Sequence, residues 1–323
     1  MSEASKHRLL LVLRITASIV ILAVVLTRVP SERLSGLMPE WTTATAVWLL
    51  GAALLTLVGV VLSAVRWQQV LRALDLDAGM RDLLPMYFAG QFVSNVLPTT
   101  IGGDLVRISR LSRKNGETPG TFASVVLERL SGWLVLPLIT FVGFIVNPGL
   151  RELGLATQVA IALAVATLVG LGLLLLVAAS RRIGGRISHS EGWRRFVGAI
   201  HYGLEQMRQR PSSAVGVLAA GFAYQLVLVI AAVMAAQALG LNEAGFTALL
   251  AFLPAVLIAQ VLPIGISGLG IREGAFVLFL TPLGVPAEQA IALGLLLYAL
   301  NLLVGLLGAP SFAFGPREER ALA

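Results

Sequence analysis

The sequence predicts an all-α integral membrane protein, a polytopic helical bundle with two interrupted or re-entrant helical hairpins in an inverted repeat. Three observations predict it. Hydrophobic residues make up 57% of the chain and charged residues 13%, with a mean hydropathy of +0.87, whereas a soluble domain carries about a quarter charged residues. Long apolar runs recur, each near the roughly 20 residues that a helix needs to cross about 30 Å of hydrocarbon. Finally, VLPTTIGGDLVR at 96–107 and VLPIGISGLGIR at 261–272 carry Val, Leu, Pro, Ile, Gly and Arg at the same six places.

The first run, Leu9 to Leu26, follows Lys6, His7 and Arg8 and resembles a secretory signal in outline. Arg28 and Arg33 stand where a small-residue cleavage site belongs, so it is read as a retained first helix. The further runs are Ala44 to Val65, Phe122 to Val146, Ala156 to Ala179, Ser212 to Leu239 and Glu288 to Phe314. All are too long for transmembrane strands of about 10 alternating residues. The whole chain, 1–323, is therefore read as one transmembrane domain, with a first re-entrant element at 83–109 and a second at 246–281.

Between two of the runs, residues 180–211 carry Arg181, Arg182, Arg186, Arg194, Arg195, Arg208 and Arg210. The positive-inside rule makes this loop cytoplasmic. Trp193, Phe196, Val197, Ile200, Leu204 and Met207 fall on one helical stripe within it, the pattern of an amphipathic helix lying on the inner leaflet. Counting outward puts 147–155 outside, and Arg66, Arg72, Arg81, Arg107, Arg110, Arg113 and Lys114 inside, together with both termini. The count holds if each interrupted element enters and leaves by one face, and it makes the two similar stretches approach the membrane from opposite sides. The +7 formal charge is thus a topology signal and not a nucleic-acid footprint.

Proline removes a backbone donor and glycine permits bends, so helices should break around Pro98, Gly102 and Gly103, and around Pro263, Gly265, Gly268 and Gly270. Freed backbone groups are tolerated at membrane depth only where protein or a water-filled cavity receives them. Paired interruptions in inverted halves point to a transporter's binding site, where half-helix termini face a substrate. Asp104 and Arg107 follow the first break, Arg272 and Glu273 the second, and Glu128 and Arg129 interrupt an apolar run. Intramembrane charges of this kind face partners or a polar path. Arg107 and Arg272 are expected to hold a phosphate from opposite sides, since guanidinium binds phosphate through paired hydrogen bonds. Asp104, Glu128 and Glu273 would orient them or engage a cationic headgroup, and Glu128 and Asp104 are candidate proton carriers. Neighbours on a helix diverge by about 100°, so Glu128–Arg129 and Arg272–Glu273 are expected to find partners elsewhere. Asn95, Tyr224, Gln225, Gln260, Tyr298 and Asn301 are read mainly as helix-to-helix contacts.

Without cysteine, and with His7, His189 and His201 outside the predicted spans, no thiolate chemistry, metal site or other cofactor is expected. GGDLVR lacks the ending and spacing of a phosphate-binding loop, and no nucleophile with its base is recognisable, so the chain is not read as an enzyme.

The segment from Gly90 to Leu134, followed by Leu262 to Gly308, resembles the flippase-like family, also called the lysylphosphatidylglycerol synthase transmembrane family. The resemblance rests most on Gly102 to Arg107, Leu127 to Arg129 and Gly268 to Glu273. It implies movement of charged or glycan-bearing lipids across the cytoplasmic membrane, with anionic phospholipid or polyprenyl-linked glycan as partner. Two departures matter. The chain ends at Ala323 without the aminoacyl-transferring domain of the bifunctional synthases, so it is not expected to make lysyl lipid. Family members often carry an acidic residue three places after the Arg of Leu-Glu-Arg, where this chain has Gly132. A secondary transporter of a small anionic solute and a non-transporting scaffold in envelope assembly are the alternatives; a homo-oligomer stays open.

Overall fold

The computed structural model describes residues 41–96, 102–180, 193–261 and 268–314, with Thr16 besides. Every element among them is helical, and no strand occurs. In chain order they are α1 (Thr43–Ala73), α2 (Met80–Val96), α3 (Gly102–Asn115), α4 (Thr118–Val146), a 3-10 turn (Pro148–Glu152) and α5 (Leu155–Ala179). They continue as α6 (Trp193–Gln209), α7 (Pro211–Ala238), α8 (Phe246–Ala259), α9 (Ile271–Leu280), a 3-10 turn (Thr281–Leu283), α10 (Ala287–Leu306) and α11 (Ala309–Phe314).

Five of these reach membrane-crossing length and hydropathy: α1, α4, α5, α7, and α10 taken with α11. The chain is a multi-pass integral membrane protein. The predicted runs at 44, 122, 156, 212 and 288 correspond to them within a few residues at most ends. The main discrepancy is α1, which continues past Val65 to Ala73. The run from Leu9 to Leu26 lies outside the described residues.

Helix α4 is the hub, packing against α1, α3, α5, α6, α7 and α8, while α1 and α7 run against each other over the most extensive contact. Its far end crosses α8, where a Cβ on Gly143 would run into the backbone of Ala251. Phe144 meets Phe252 edge-on at 5.6 Å and Phe252 stacks on Phe279 at 5.2 Å, all three within the largest buried cluster. Burial of this kind gains packing rather than hydrophobic free energy when the outer solvent is lipid. Helix α5 shows the other extreme, presenting Ile161, Val165, Val169, Leu173 and Leu176 outward as a lipid-facing stripe.

Both interruption regions separate two short helices, α2 from α3 and α8 from α9. Gly268 and Gly270 take φ of +72° and +84°, conformations that glycine adopts without a Cβ penalty, and α9 starts directly after them. Gly102 and Gly103 instead begin α3 itself. Pro98, Pro263 and Gly265 lie outside the described residues. Gly103 serves close approach: a Cβ there would strike the Gly90 carbonyl and Ser94 Oγ on α2. Gly103→Val is therefore expected to cost about 1–3 kcal/mol by overpacking, read as a lowered unfolding midpoint of the purified protein; an unchanged midpoint would mean that the α2–α3 crossing is looser than described.

Part of the amphipathic stripe of α6 seats on protein. Val197 and Ile200 are buried with Val126 and Ala178, and Leu204 and Met207 pack beside them on α4, α5 and α7. His201 Nδ1 lies 2.7 Å from the Ala178 carbonyl at the end of α5. Phe196 remains exposed.

Candidate functional site

A cavity of about 350 Å³ opens among these helices. Its charged wall carries Arg66 from α1, Asp104 and Arg107 from the first two turns of α3, Glu128 and Arg129 from α4, and Arg272 from the first turn of α9. Five of the six residues singled out from sequence thus converge on one space, and the sixth, Glu273, supports Arg272 from behind.

Glu128, 1% exposed, is the centre. Its Oε1 accepts from Arg66 Nε at 3.1 Å and also from Arg66 Nη2, while its Oε2 accepts from both terminal nitrogens of Arg107 at 3.2 Å. Arg107 Nη2 also donates to Asp104 Oδ1 at 2.5 Å, and Asp104 Oδ2 pairs with Arg129 Nε. An alternating chain of five charges results: Arg66, Glu128, Arg107, Asp104, Arg129. Such a network is tolerable in low dielectric because each carboxylate faces two guanidiniums, which offsets part of the desolvation cost.

Aromatic rings complete the support. Arg107 lies 4.5 Å from the Tyr87 centroid and 5.1 Å from that of Trp67, Arg66 is 5.2 Å from Tyr224, and Arg272 is 5.0 Å from Tyr298. Ring faces stabilise cations electrostatically, most where water is excluded. Trp67 is fixed by donating its Nε1–H to Ser124 Oγ at 3.0 Å.

In the second interrupted region Glu273, fully buried, accepts from Arg272 Nη2 at 2.6 Å and Nε at 3.1 Å through Oε1. Its Oε2 accepts from the Gly270 backbone at 2.6 Å and so caps α9. The expectation that these neighbours seek partners elsewhere is wrong here, because Glu273 folds back over the first helical turn, within reach of Arg272. For Glu128 and Arg129 it holds. Of the two arginines expected to hold a phosphate, Arg107 gives both terminal nitrogens to Glu128 and Asp104, and Arg272 gives Nε and Nη2 to Glu273.

Arg66, which the sequence reading places among the cytoplasmic topology charges, is 6% exposed and lines the cavity. Of the intramembrane polar residues, Asn301 does join helices, accepting from Gln91 Nε2 at 2.9 Å and, through its carbonyl, from Asn95 Nδ2 at 3.0 Å. Tyr224, Gln225, Gln260 and Asn301 also line the cavity. The lining also includes apolar Leu228, Leu257 and Leu297, together with Val261, which is 40% exposed. Among the described residues no three His, Asp or Glu side chains gather as a metal site would require.

Residues 11–308 match the family described as the lysylphosphatidylglycerol synthase TM region. The chain belongs to the lysylphosphatidylglycerol synthase transmembrane family. It is also 31% identical over 175 residues to a protein of Methanothermobacter thermautotrophicus named UPF0104 membrane protein, covering 50% of each chain. The chain spans about half the length of that curated relative. The family match includes all three motifs that carried the resemblance, and with them every charged residue of the cavity wall.

Proposed function

We propose that the protein is a non-enzymatic, flippase-like lipid translocator of the cytoplasmic membrane, moving a phosphate-bearing, charged or glycosylated lipid between leaflets. The observation that carries this reading is the cavity itself, which joins a buried arginine network to apolar lining residues among membrane-crossing helices. An amphiphile needs both surfaces: guanidiniums for a phosphate and apolar side chains beside an acyl or prenyl chain. At about 350 Å³ the space lies near the lower end of the roughly 300–1,000 Å³ usual for ligand pockets, suiting a headgroup whose chains stay in the bilayer.

In this account the two interrupted elements are re-entrant and related by inversion, both termini are cytoplasmic, and rocking of the halves exposes the cavity to each leaflet in turn. The N-termini of α3 and α9 bring their positive dipole ends to the cavity wall. Motion is driven by the lipid gradient, the membrane potential or protons.

The test is reconstitution into liposomes of the host's lipid extract, with leaflet-selective labelling and mass spectrometry to identify the headgroup that crosses. One lipid class should cross faster than in empty liposomes, and Arg107→Ala and Arg272→Ala should abolish the gain. If folded protein moves no lipid class, the translocator reading fails and a small anionic solute becomes the better substrate class.

A further inference from the structure

Hydrogen bonding divides the arginines of the cavity unequally. Both terminal nitrogens of Arg107 are held by Glu128 and Asp104, Arg129 Nε by Asp104, and Arg272 Nε and Nη2 by Glu273. Arg66 gives Nε and Nη2 to Glu128, but its Nη1 is buried and finds no acceptor among the described residues. Only one other buried side-chain polar atom there, Thr140 Oγ1, shares that condition. A buried charged donor left unpaired is costly, and this one sits on the wall of a cavity.

What lies before it is Gly132, also on the cavity wall, where a Cβ would stand 3.0 Å from Arg66 Nη1. Any side chain at 132 would crowd that nitrogen, and an acidic one would pair with it. The glycine keeps the donor open.

The remaining charges define what can answer it. Four arginines of the wall face three carboxylates, Asp104, Glu128 and Glu273, leaving one positive charge in excess among these residues. Each carboxylate is already paired, and Tyr87, Tyr224 and Tyr298 already have an arginine over their rings. An incoming ammonium group would therefore find neither an uncommitted carboxylate nor those ring faces. The other polar lining is neutral, with Ser94, Gln225 and Gln260 suited to hydroxyl groups.

We propose that Arg66 Nη1, kept open by Gly132, receives a phosphate oxygen of a singly anionic headgroup whose other groups are neutral hydroxyls, and that the cavity rejects headgroups bearing an ammonium. This deepens the lipid-translocator reading and rests on it for the lipid source; the anion site itself stands on Arg66 and Gly132.

Calorimetric titration of the purified full chain in detergent tests it with four probes: inorganic phosphate, glycerol 3-phosphate, dihexanoyl-phosphatidylglycerol and its lysyl ester. Dihexanoyl-phosphatidylglycerol should bind at least about tenfold more tightly than the lysyl ester, about 1.4 kcal/mol. Gly132→Asp, which supplies Nη1 with a carboxylate, and Arg66→Gln, which removes the donor, should each weaken it by about tenfold or more, with cooperative thermal unfolding retained in at least one. Glycerol 3-phosphate or inorganic phosphate binding as tightly as the lipid, and lost in the same variants, would uphold the anion site while overturning its lipid source. Tighter or equal binding of the lysyl ester overturns the proposed selectivity, and undiminished binding in a folded variant overturns the Arg66 site; in either case the liposome assay still decides translocation separately.

Discussion

Glu128→Ala is expected to lower the unfolding free energy by about 3–5 kcal/mol, the cost of leaving buried charge uncompensated. Glu128 alone bridges Arg66 and Arg107, and both guanidiniums are at least nine-tenths buried. Its removal leaves two like charges facing one cavity, with Asp104 still on Arg107 but no acceptor left among the described residues for Arg66 Nε or Nη2. Tyr87, whose hydroxyl lies 3.5 Å from Glu128 Oε1, loses that contact as well. Glu128→Gln keeps the shape and one acceptor, so it should lose less. Thermal unfolding of both variants in one detergent gives the ranking wild type, Gln, Ala; an alanine variant as stable as wild type would mean that the arginines are solvated in the native membrane state and that the charge chain carries little stability.

Glu273→Ala should be comparably severe, again about 3–5 kcal/mol, for a different combination of reasons. One fully buried carboxylate both neutralises Arg272 and satisfies the Gly270 amide at the start of α9. Alanine would strip the helix cap and the ion pair together, beneath Tyr298 and against Gly294, whose missing side chain makes room for Glu273. Glu273→Gln retains one carbonyl oxygen and can serve either the amide or the guanidinium, so an intermediate loss is expected. The double variant Arg272→Met/Glu273→Gln removes the charges as a pair and should recover stability relative to Glu273→Ala while losing ligand affinity. Equal loss in all three variants would assign the effect to packing around Gly294 and not to charge.

The parts of this fold most legible in the sequence are those set by the bilayer. Hydrocarbon thickness dictates run length, so four of the predicted spans have both ends close to those of real helices, and the span from Ala44 has a close start. The charged wall was legible for a related reason: Asp104, Arg107, Glu128, Arg129 and Arg272 are too costly in apolar surroundings to lack a shared polar space. Arg66 was missed because it directly follows an apolar run, where a basic residue ordinarily marks the membrane surface. A signal was present nevertheless. Ser63, Arg66, Trp67 and Val70 share one helical face and all are buried, so α1 continues past the apolar run with its buried stripe intact. The pairing of Arg272 with Glu273 was illegible because it depends on where α9 begins; first-turn residues can fold back over free amides, which mid-helix geometry does not allow. For α6 the periodicity was right, and Val197 and Ile200 of its stripe are covered by protein, which a hydrophobic stripe does not by itself announce.

The central claim is that a lipid headgroup passes through this cavity, and the absence of cysteine from the sequence makes it directly testable. Thr56 lines the cavity and is only partly buried, so Thr56→Cys places a single thiol there with little change in volume. Proteoliposomes of this variant would be treated with a bulky methanethiosulfonate, modification verified by mass spectrometry, and leaflet-selective labelling repeated. Translocation should fall to the empty-vesicle rate and return on reduction. An undiminished rate with the thiol fully modified would contradict the account and place the lipid path elsewhere.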